Sequence, residues 1–162
     1  MQRRKFLSLG ALALIASLPG AISLRALDYR KEKPDAWTTK NVYDGKNPTE
    51  KGVDAALKAL YGDVKYENSG VDLKLPKVAN NGGAVPVKFS TDIAAKSVAV
   101  FQDVNPECTV AVYSVPDGAI VDYMLKIKMK QSGAVTVVVE GKDGKFYKAS
   151  KSLEVALGGC EG

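Results

Sequence analysis

The residues with the clearest chemical potential lie at the C-terminus, where the sequence ends in LGGCEG over residues 157–162. Nothing follows Cys160 that could close a core over its thiol, so packing does not explain a cysteine at this position. A thiolate is nucleophilic, forms disulfides and persulfides, and releases what it holds by exchange. This chemistry suits a thiol that carries a covalent load better than a thiol that catalyses.

The residues around Cys160 predict a flexible arm. Gly158 and Gly159 have no side chain to anchor them and cost the most conformational entropy to fix. At ~3.3–3.6 Å per extended residue, three residues carry the sulfur on the order of 10 Å beyond the last strand. Glu161 and the terminal carboxylate disfavour the thiolate. We therefore expect activation to come from a partner's active site that the arm enters.

The composition excludes several kinds of site. The chain has no histidine, which removes the usual general base, the Ser-His and Cys-His pairs, and imidazole metal ligands. Two cysteines alone cannot build a zinc, iron–sulfur or His-ligated haem centre. We expect no catalytic residue, no metal and no cofactor, and a non-catalytic protein that serves as the substrate of partner enzymes.

The other cysteine, Cys108, is in phase with Val110 and Val112 on one face of a predicted strand. That phase predicts a buried, inert thiol. Two alternatives are a structural disulfide between Cys108 and Cys160 and an intermolecular bridge between two chains. A bond to a core strand would leave the glycine tether without a purpose.

The N-terminus has the pattern of an export signal over residues 1–23, with Arg3, Arg4 and Lys5 preceding the apolar stretch 6–18. This stretch is shorter than the ~20 residues of a membrane-spanning helix, which disfavours a permanent anchor. The paired arginines resemble a twin-arginine signal, which exports folded proteins, and predict a periplasmic location. Cleavage fits after Ser23 or Ala26.

Removal of this signal changes the charge of the chain. It takes away three basic residues and no acidic ones, which leaves 20 Lys and Arg against 18 Asp and Glu, a net charge of +2. The exported protein therefore lacks the basic footprint of a nucleic-acid-binding protein.

The first part of the exported chain predicts a lead-in and one helix. Residues 27–47 show no periodicity, and their Trp37 and Tyr43 pack either on their own domain or on a partner. We expect a helix over 47–61, capped by Asn47 and ended by Gly62. Its apolar stripe consists of Val53, Ala56, Leu57 and Leu60.

The remainder predicts strands separated by turn signals at ~8–12-residue spacing. We expect an all-β fold, an immunoglobulin-like antiparallel β-sandwich of about seven strands with one N-terminal amphipathic helix. It forms a single carrier domain over 24–157, followed by the flexible arm 158–162. The predicted strands lie at 71–75, 85–89, 97–101, 108–115, 121–129, 134–140 and 145–157.

Three lysines, Lys126, Lys128 and Lys130, share one face of a predicted strand. Their spacing fits a solvated edge protected from strand addition. The alternative is a site for anions.

The chain resembles the SoxY family, the sulfur-carrier subunits of the periplasmic thiosulfate-oxidising (Sox) system. The resemblance rests on the helix, on the glycine-flanked terminal cysteine, and on two segments, GVDLKLPKVANNGGAVPVKFSTD at 70–92 and VAVFQDVNPE at 98–107. The family's tail is usually Gly-Gly-Cys-Gly-Gly. Here Glu161 replaces a glycine, which adds bulk and charge beside the sulfur.

The resemblance implies a heterodimer with a second sandwich subunit, SoxZ, and transient contacts with SoxAX, SoxB and, in some organisms, a sulfur dehydrogenase. It implies that Cys160 is the covalent site for thiosulfate-derived sulfur and that Gly158, Gly159 and Gly162 are tether positions. Two other functions remain open. One is a periplasmic binding or assembly module with an incidental tail thiol, and the other is a thiol peroxidase or disulfide exchanger, which the absence of a Cys-x-x-Cys motif disfavours.

Overall fold

The computed structural model describes residues 35–44, 47–50 and 52–156. Most of the chain in these segments is strand. The elements are α1 (Asp35–Thr38), β1 (Val42–Asp44), β2 (Asn47–Glu50), α2 (Val53–Tyr61), β3 (Tyr66–Glu67), β4 (Asp72–Lys74), β5 (Val78–Ala79), a 3-10 turn (Gly82–Ala84), β6 (Val85–Thr91), β7 (Ala95–Gln102), β8 (Thr109–Ser114), β9 (Val121–Ile127), β10 (Gly133–Gly141) and β11 (Phe146–Val155).

Two sheets pack face to face, as the sequence predicted. The smaller sheet has the order β4-β6-β9, and the larger has the order β3-β11-β10-β7-β8, with β5 also pairing with β11. The seven predicted strands correspond to β4 and to β6 through β11, and the pairs among them within each sheet are antiparallel. The fold is therefore the expected immunoglobulin-like β-sandwich, with β3 and β5 as short parallel additions to β11.

The main core lies between the sheets. In β6 the buried side chains of Val85, Val87 and Phe89 alternate with exposed ones, because one face of the strand meets the core and the other meets solvent. Strand β7 is instead buried on both faces from Val98 onward, which explains the apolar run at 98–101. Its Val98 and Val100 contribute to the main core.

A second apolar cluster lies outside the sandwich, where α2 covers the outer face of the larger sheet. Val53, Ala56 and Leu57 of the helix are buried there, and Leu60 packs against them. The predicted stripe of α2 is confirmed. The buried sheet residues of this cluster are Ala99, Phe101, Cys108 and Val138.

The predicted start of this helix is wrong. Asn47–Glu50 is a strand paired with Val42–Asp44, and the helix begins only at Val53. The N-cap residue is Gly52, and an earlier part of the chain holds it, since the Asn41 side-chain oxygen accepts a hydrogen bond from the Gly52 N–H at 2.7 Å. The end was predicted correctly: Gly62 has a φ of 78° and donates its N–H to the Lys58 carbonyl at 2.8 Å.

The lead-in is more ordered than predicted and packs on its own domain. Its described part contains α1 and β1, and the Thr109 hydroxyl donates to the carbonyl of the buried Ala36. The backbone of Asn41 also donates to the Pro106 carbonyl at 3.0 Å. Trp37, in α1, is half-buried.

Gly52→Ala should destabilise the protein by about 1–3 kcal/mol. A Cβ at Gly52 would overlap the carbonyl oxygen of Lys40, a backbone atom that cannot rotate away. Chemical denaturation followed by circular dichroism measures the change. Ala59→Ser, exposed on the same helix, should cost no more than about 0.5 kcal/mol, and equal costs for the two variants would contradict this account.

Candidate functional site

The predicted site residues lie outside the described residues, and so do the predicted signal and arm boundaries. The structure does describe the place from which the C-terminal segment leaves the domain, and it describes the second cysteine. The predicted residues in question are Cys160, Gly158, Gly159 and Gly162 of the arm and Arg3 and Arg4 of the signal.

The end of β11 is fixed on both sides. On one side Leu153 pairs with Gly133 of β10, and on the other Glu154 and Val155 bridge to β5. Beyond the last pair, the Ala156 N–H still donates to the Ala79 carbonyl at 2.9 Å. The backbone is therefore held up to two residues before Gly158.

A side chain of the neighbouring loop also holds this end. The Ser132 hydroxyl accepts a hydrogen bond from the Val155 N–H at 2.9 Å. Leu153 and Ala79 are buried in the main core beneath the strand end. The C-terminal segment therefore continues from a strand end that is fixed by hydrogen bonds and by packing.

The segment 98–107, which carries part of the family resemblance, forms β7 and a loop organised by the buried Gln102. The Gln102 side-chain oxygen accepts from the N–H groups of Val104 and Asn105, each at 2.6 Å, and its amide donates to the Glu107 carbonyl at 2.6 Å. A fully buried amide is tolerable only because it is satisfied in this way. Gln102 had no predicted role, although a polar residue at the end of an apolar strand was a signal.

Asn105 extends this loop toward the chain that follows β9. Its side-chain amide donates to the Lys128 carbonyl at 2.6 Å, and its side-chain oxygen accepts from the Lys130 N–H at 3.0 Å. Its own carbonyl accepts from the Asn41 side chain at 2.8 Å. Asn105 thus joins three segments that are distant in sequence.

These segments enclose a cleft of about 690 Å³, which we call the lysine cleft. The three lysines of the predicted strand face all line it, and Lys40 joins them from the lead-in. Strand β9 is an edge strand, as the first interpretation of these lysines expected, but it ends at Ile127, so Lys128 and Lys130 follow the strand. The lining is Lys40, Gln102, Asn105, Pro106, Glu107, Thr109, Val110, Lys126, Ile127, Lys128 and Lys130.

Cys108 is a free, fully buried thiol, as predicted. Its Sγ lies 3.2 Å from the Thr39 carbonyl oxygen, to which the thiol donates, and burial raises its pKa. A thiol with a raised pKa and no exposure is a poor nucleophile and a poor partner for a disulfide.

The predicted phase around Cys108 holds only in part. Val112 packs in the same cluster as Cys108, but Val110 packs in the main core. The cause is a β-bulge: Val100 pairs with Ala111 and Phe101 with Thr109, which leaves Val110 as the extra residue. Strict alternation cannot reveal such an insertion.

Thiol titration should distinguish the two cysteines. In the native protein we expect one thiol to react rapidly with a chromogenic disulfide reagent and Cys108 to react at least about a hundredfold more slowly, because its exposure requires unfolding. In denaturant both should react at once. Cys160→Ser should leave no fast thiol, and rapid reaction in that variant would show that Cys108 is accessible.

The described residues contain neither a membrane-spanning helix nor a metal-binding cluster. No helix in 35–44, 47–50 and 52–156 is long and apolar enough to cross a membrane. In the same part of the chain, no three His, Cys, Asp or Glu side chains lie together as ligands for a metal ion.

The fold and the sequence together define a class of protein, a single β-sandwich followed by a short C-terminal segment that carries a cysteine. The family model for "Sulfur oxidation protein SoxY" matches residues 57–160, well over half of the chain. The chain belongs to the SoxY family. The matched region runs from α2 through the sandwich to Cys160.

The solved structure of a SoxY protein agrees with this assignment. The sulfur carrier protein SoxY from Chlorobium limicola f thiosulfatophilum is 28% identical, with a TM-score of 0.59, over 65% of this chain and 96% of that one. A superoxide reductase (neelaredoxin) from Ignicoccus hospitalis is 16% identical over 56% of this chain and 82% of that one, with a TM-score of 0.48. A search of curated proteins found no match.

Proposed function

We propose that this protein is a non-catalytic carrier of sulfur intermediates in periplasmic thiosulfate oxidation. Cys160 holds the intermediate covalently, and the arm 158–162 presents it to partner Sox enzymes. The observation that carries the proposal is the family match, which extends from α2 to Cys160 itself. The Chlorobium relative, described as a sulfur carrier protein, supports it.

The anchored strand end supports the arm mechanically. Because the backbone is hydrogen-bonded up to Ala156, the tether begins at a defined point and its length is set by residues 157–160. Four residues lead from Ala156 to Cys160, a reach of ~13–14 Å when extended. That length suits a thiol that enters an active site in another protein.

The burial of Cys108 supports the proposal that sulfur is loaded on Cys160. A carrier exported to an oxidising compartment must avoid an internal disulfide that would consume its loading thiol. Cys108 is enclosed between α2 and the larger sheet, so Cys160 is the one thiol available for loading. Arg3 and Arg4, as part of a twin-arginine signal, would direct the folded chain to the periplasm.

The reaction sequence follows from thiol chemistry and from the partners of the Sox system. Oxidative joining of thiosulfate to the Cys160 thiol forms an S–S bond and releases one proton and two electrons, which the haem-containing SoxAX would accept. Water, directed by SoxB, then cleaves the terminal sulfonate as sulfate and a proton and leaves a persulfide on Cys160. A sulfur dehydrogenase, where one is present, oxidises the remaining persulfide sulfur. SoxZ forms the permanent heterodimer with this protein throughout the cycle.

Intact-mass spectrometry of the protein from cells grown with and without thiosulfate tests this proposal. Growth on thiosulfate should add the mass of one or more sulfur atoms or of a thiosulfonate, and mild reduction should remove it. A mass that never changes under turnover would instead favour a binding or assembly module with an incidental thiol.

A further inference from the structure

The lysine cleft has an excess of positive charge. Four lysines line it, and Glu107 is the one acidic residue among the described lining residues. Lys126 and Lys128 are exposed and form no ion pair with any described carboxylate. A concave surface lined by one sign of charge concentrates ligands of the opposite sign.

The size and walls of the cleft favour a peptide over a single ion. Its volume of about 690 Å³ falls within the ~300–1,000 Å³ typical of sites for larger ligands. Val110, Ile127 and the lysine stems provide apolar walls between the ammonium groups. The preferred ligand is a short segment with negative charges and little side-chain bulk.

The chain's own C-terminal segment has this composition. Residues 157–162 contain three glycines and one acidic side chain, the Glu161 carboxylate. A thiosulfonate on Cys160 would add a further negative charge beside this carboxylate. The segment is therefore complementary to the cleft in charge and small in bulk.

The end of β11, from which the C-terminal segment continues, also lies close to the lysine cleft. Val155 is hydrogen-bonded to Ser132, which lies only two residues beyond Lys130 of the cleft. Consecutive Cα atoms are 3.8 Å apart, so Ser132 and Lys130 lie within ~7–8 Å of each other along the backbone. Five residues lead from Ala156 to Glu161, ~17 Å when extended, enough to bring its carboxylate to the cleft.

We propose that residues 157–162 bind reversibly in the lysine cleft, with the carboxylate of Glu161 facing Lys126 and Lys128. The inference rests on the proposed carrier function and adds a resting site for the arm between transfers. Exposed ion pairs are individually weak, so the arm leaves readily when a partner offers a better site. A loaded arm with a thiosulfonate binds more tightly than an unloaded one because it carries an additional charge.

Paramagnetic relaxation enhancement from a nitroxide on Cys160 tests this binding in the full exported chain. Amide signals of residues 126–130 should be broadened about threefold more than those of residues 77–79, which lie beside Ala156 on the other side of β11. This excess broadening should vanish near ~1 M salt, where the Debye length is ~3 Å. Equal broadening on the two sides at low salt would overturn the proposal.

Charge reversal supplies the matched variants. Lys126→Glu/Lys128→Glu should abolish the excess, whereas Lys65→Glu/Lys151→Glu, two exposed lysines outside the cleft, should preserve it. An excess that survives reversal of the cleft lysines would also refute the proposal. The proposal would also be refuted if the labelled arm did not broaden the signals of the cleft while an added acidic peptide bound there, because the ligand of the cleft would then be a partner.

This experiment separates the inference from the proposed function. The nitroxide readout needs neither thiosulfate nor partner enzymes. If the arm does not bind in the cleft, sulfur adducts should still form on the wild-type protein. If the carrier function is wrong, adducts are absent whether or not the arm binds.

Discussion

Replacing Cys160 by serine should reduce sulfur loading and carrier-dependent thiosulfate oxidation to the background of a deletion strain. Sulfur transfer needs a thiolate, and a serine hydroxyl is neither ionised near neutral pH nor able to form a disulfide-type bond. The described remainder of the chain offers no substitute, because Cys108 is enclosed between α2 and the larger sheet. The rate of thiosulfate consumption by complemented cells measures the effect.

Cys108→Ala is the matched control for this experiment. It removes the other sulfur and leaves a small cavity, with an expected cost of about 1 kcal/mol in stability. Loading and thiosulfate consumption should stay near wild type. If Cys108→Ala abolished loading while Cys160→Ser retained it, the roles assigned to the two cysteines would be reversed.

Deleting Gly158 and Gly159 should slow sulfur transfer at least about tenfold, and up to about a hundredfold, without altering the stability of the sandwich. The chain is hydrogen-bonded up to Ala156, so four residues carry it from there to Cys160, ~13–14 Å when extended, and the deletion halves that reach. Even a 1 Å displacement of a reacting group can cost a hundredfold in rate. The rate of sulfate release per carrier measures the loss.

Gly158→Ala/Gly159→Ala keeps the length of the arm and changes only its freedom. We expect this variant to retain more than about a third of the wild-type rate, because alanine still samples many backbone conformations. A deletion variant that transfers sulfur as fast as wild type would show that the reach of the arm is not needed.

The sequence predicted the sandwich well because its signals are local. Alternation in β6 and the turn Gly141–Gly144 depend on neighbouring residues alone, and both appear in the structure. The start of α2 was missed because its N-cap residue, Gly52, is held by Asn41, which lies eleven residues upstream. The bulge at Val110 was missed because it depends on pairing with β7.

The candidate site shows the same division. The shared face of the three lysines could be predicted from the sequence, but the cleft could not. Lys40 reaches the cleft because an isolated antiparallel β-bridge pairs its backbone with that of Glu107, which is distant in sequence. The fixed end of β11 depends on β5 and Ser132, which no local pattern connects to it. The role of Cys160 was proposed from its position and from the family resemblance.

Peptide-level mass spectrometry of carrier isolated during thiosulfate turnover tests the central claim most directly. The account predicts that added sulfur or thiosulfonate is found on the C-terminal peptide, at Cys160, while the peptide containing Cys108 remains unmodified. A C-terminal peptide that is always a plain thiol under turnover, or a load located on Cys108, would contradict it.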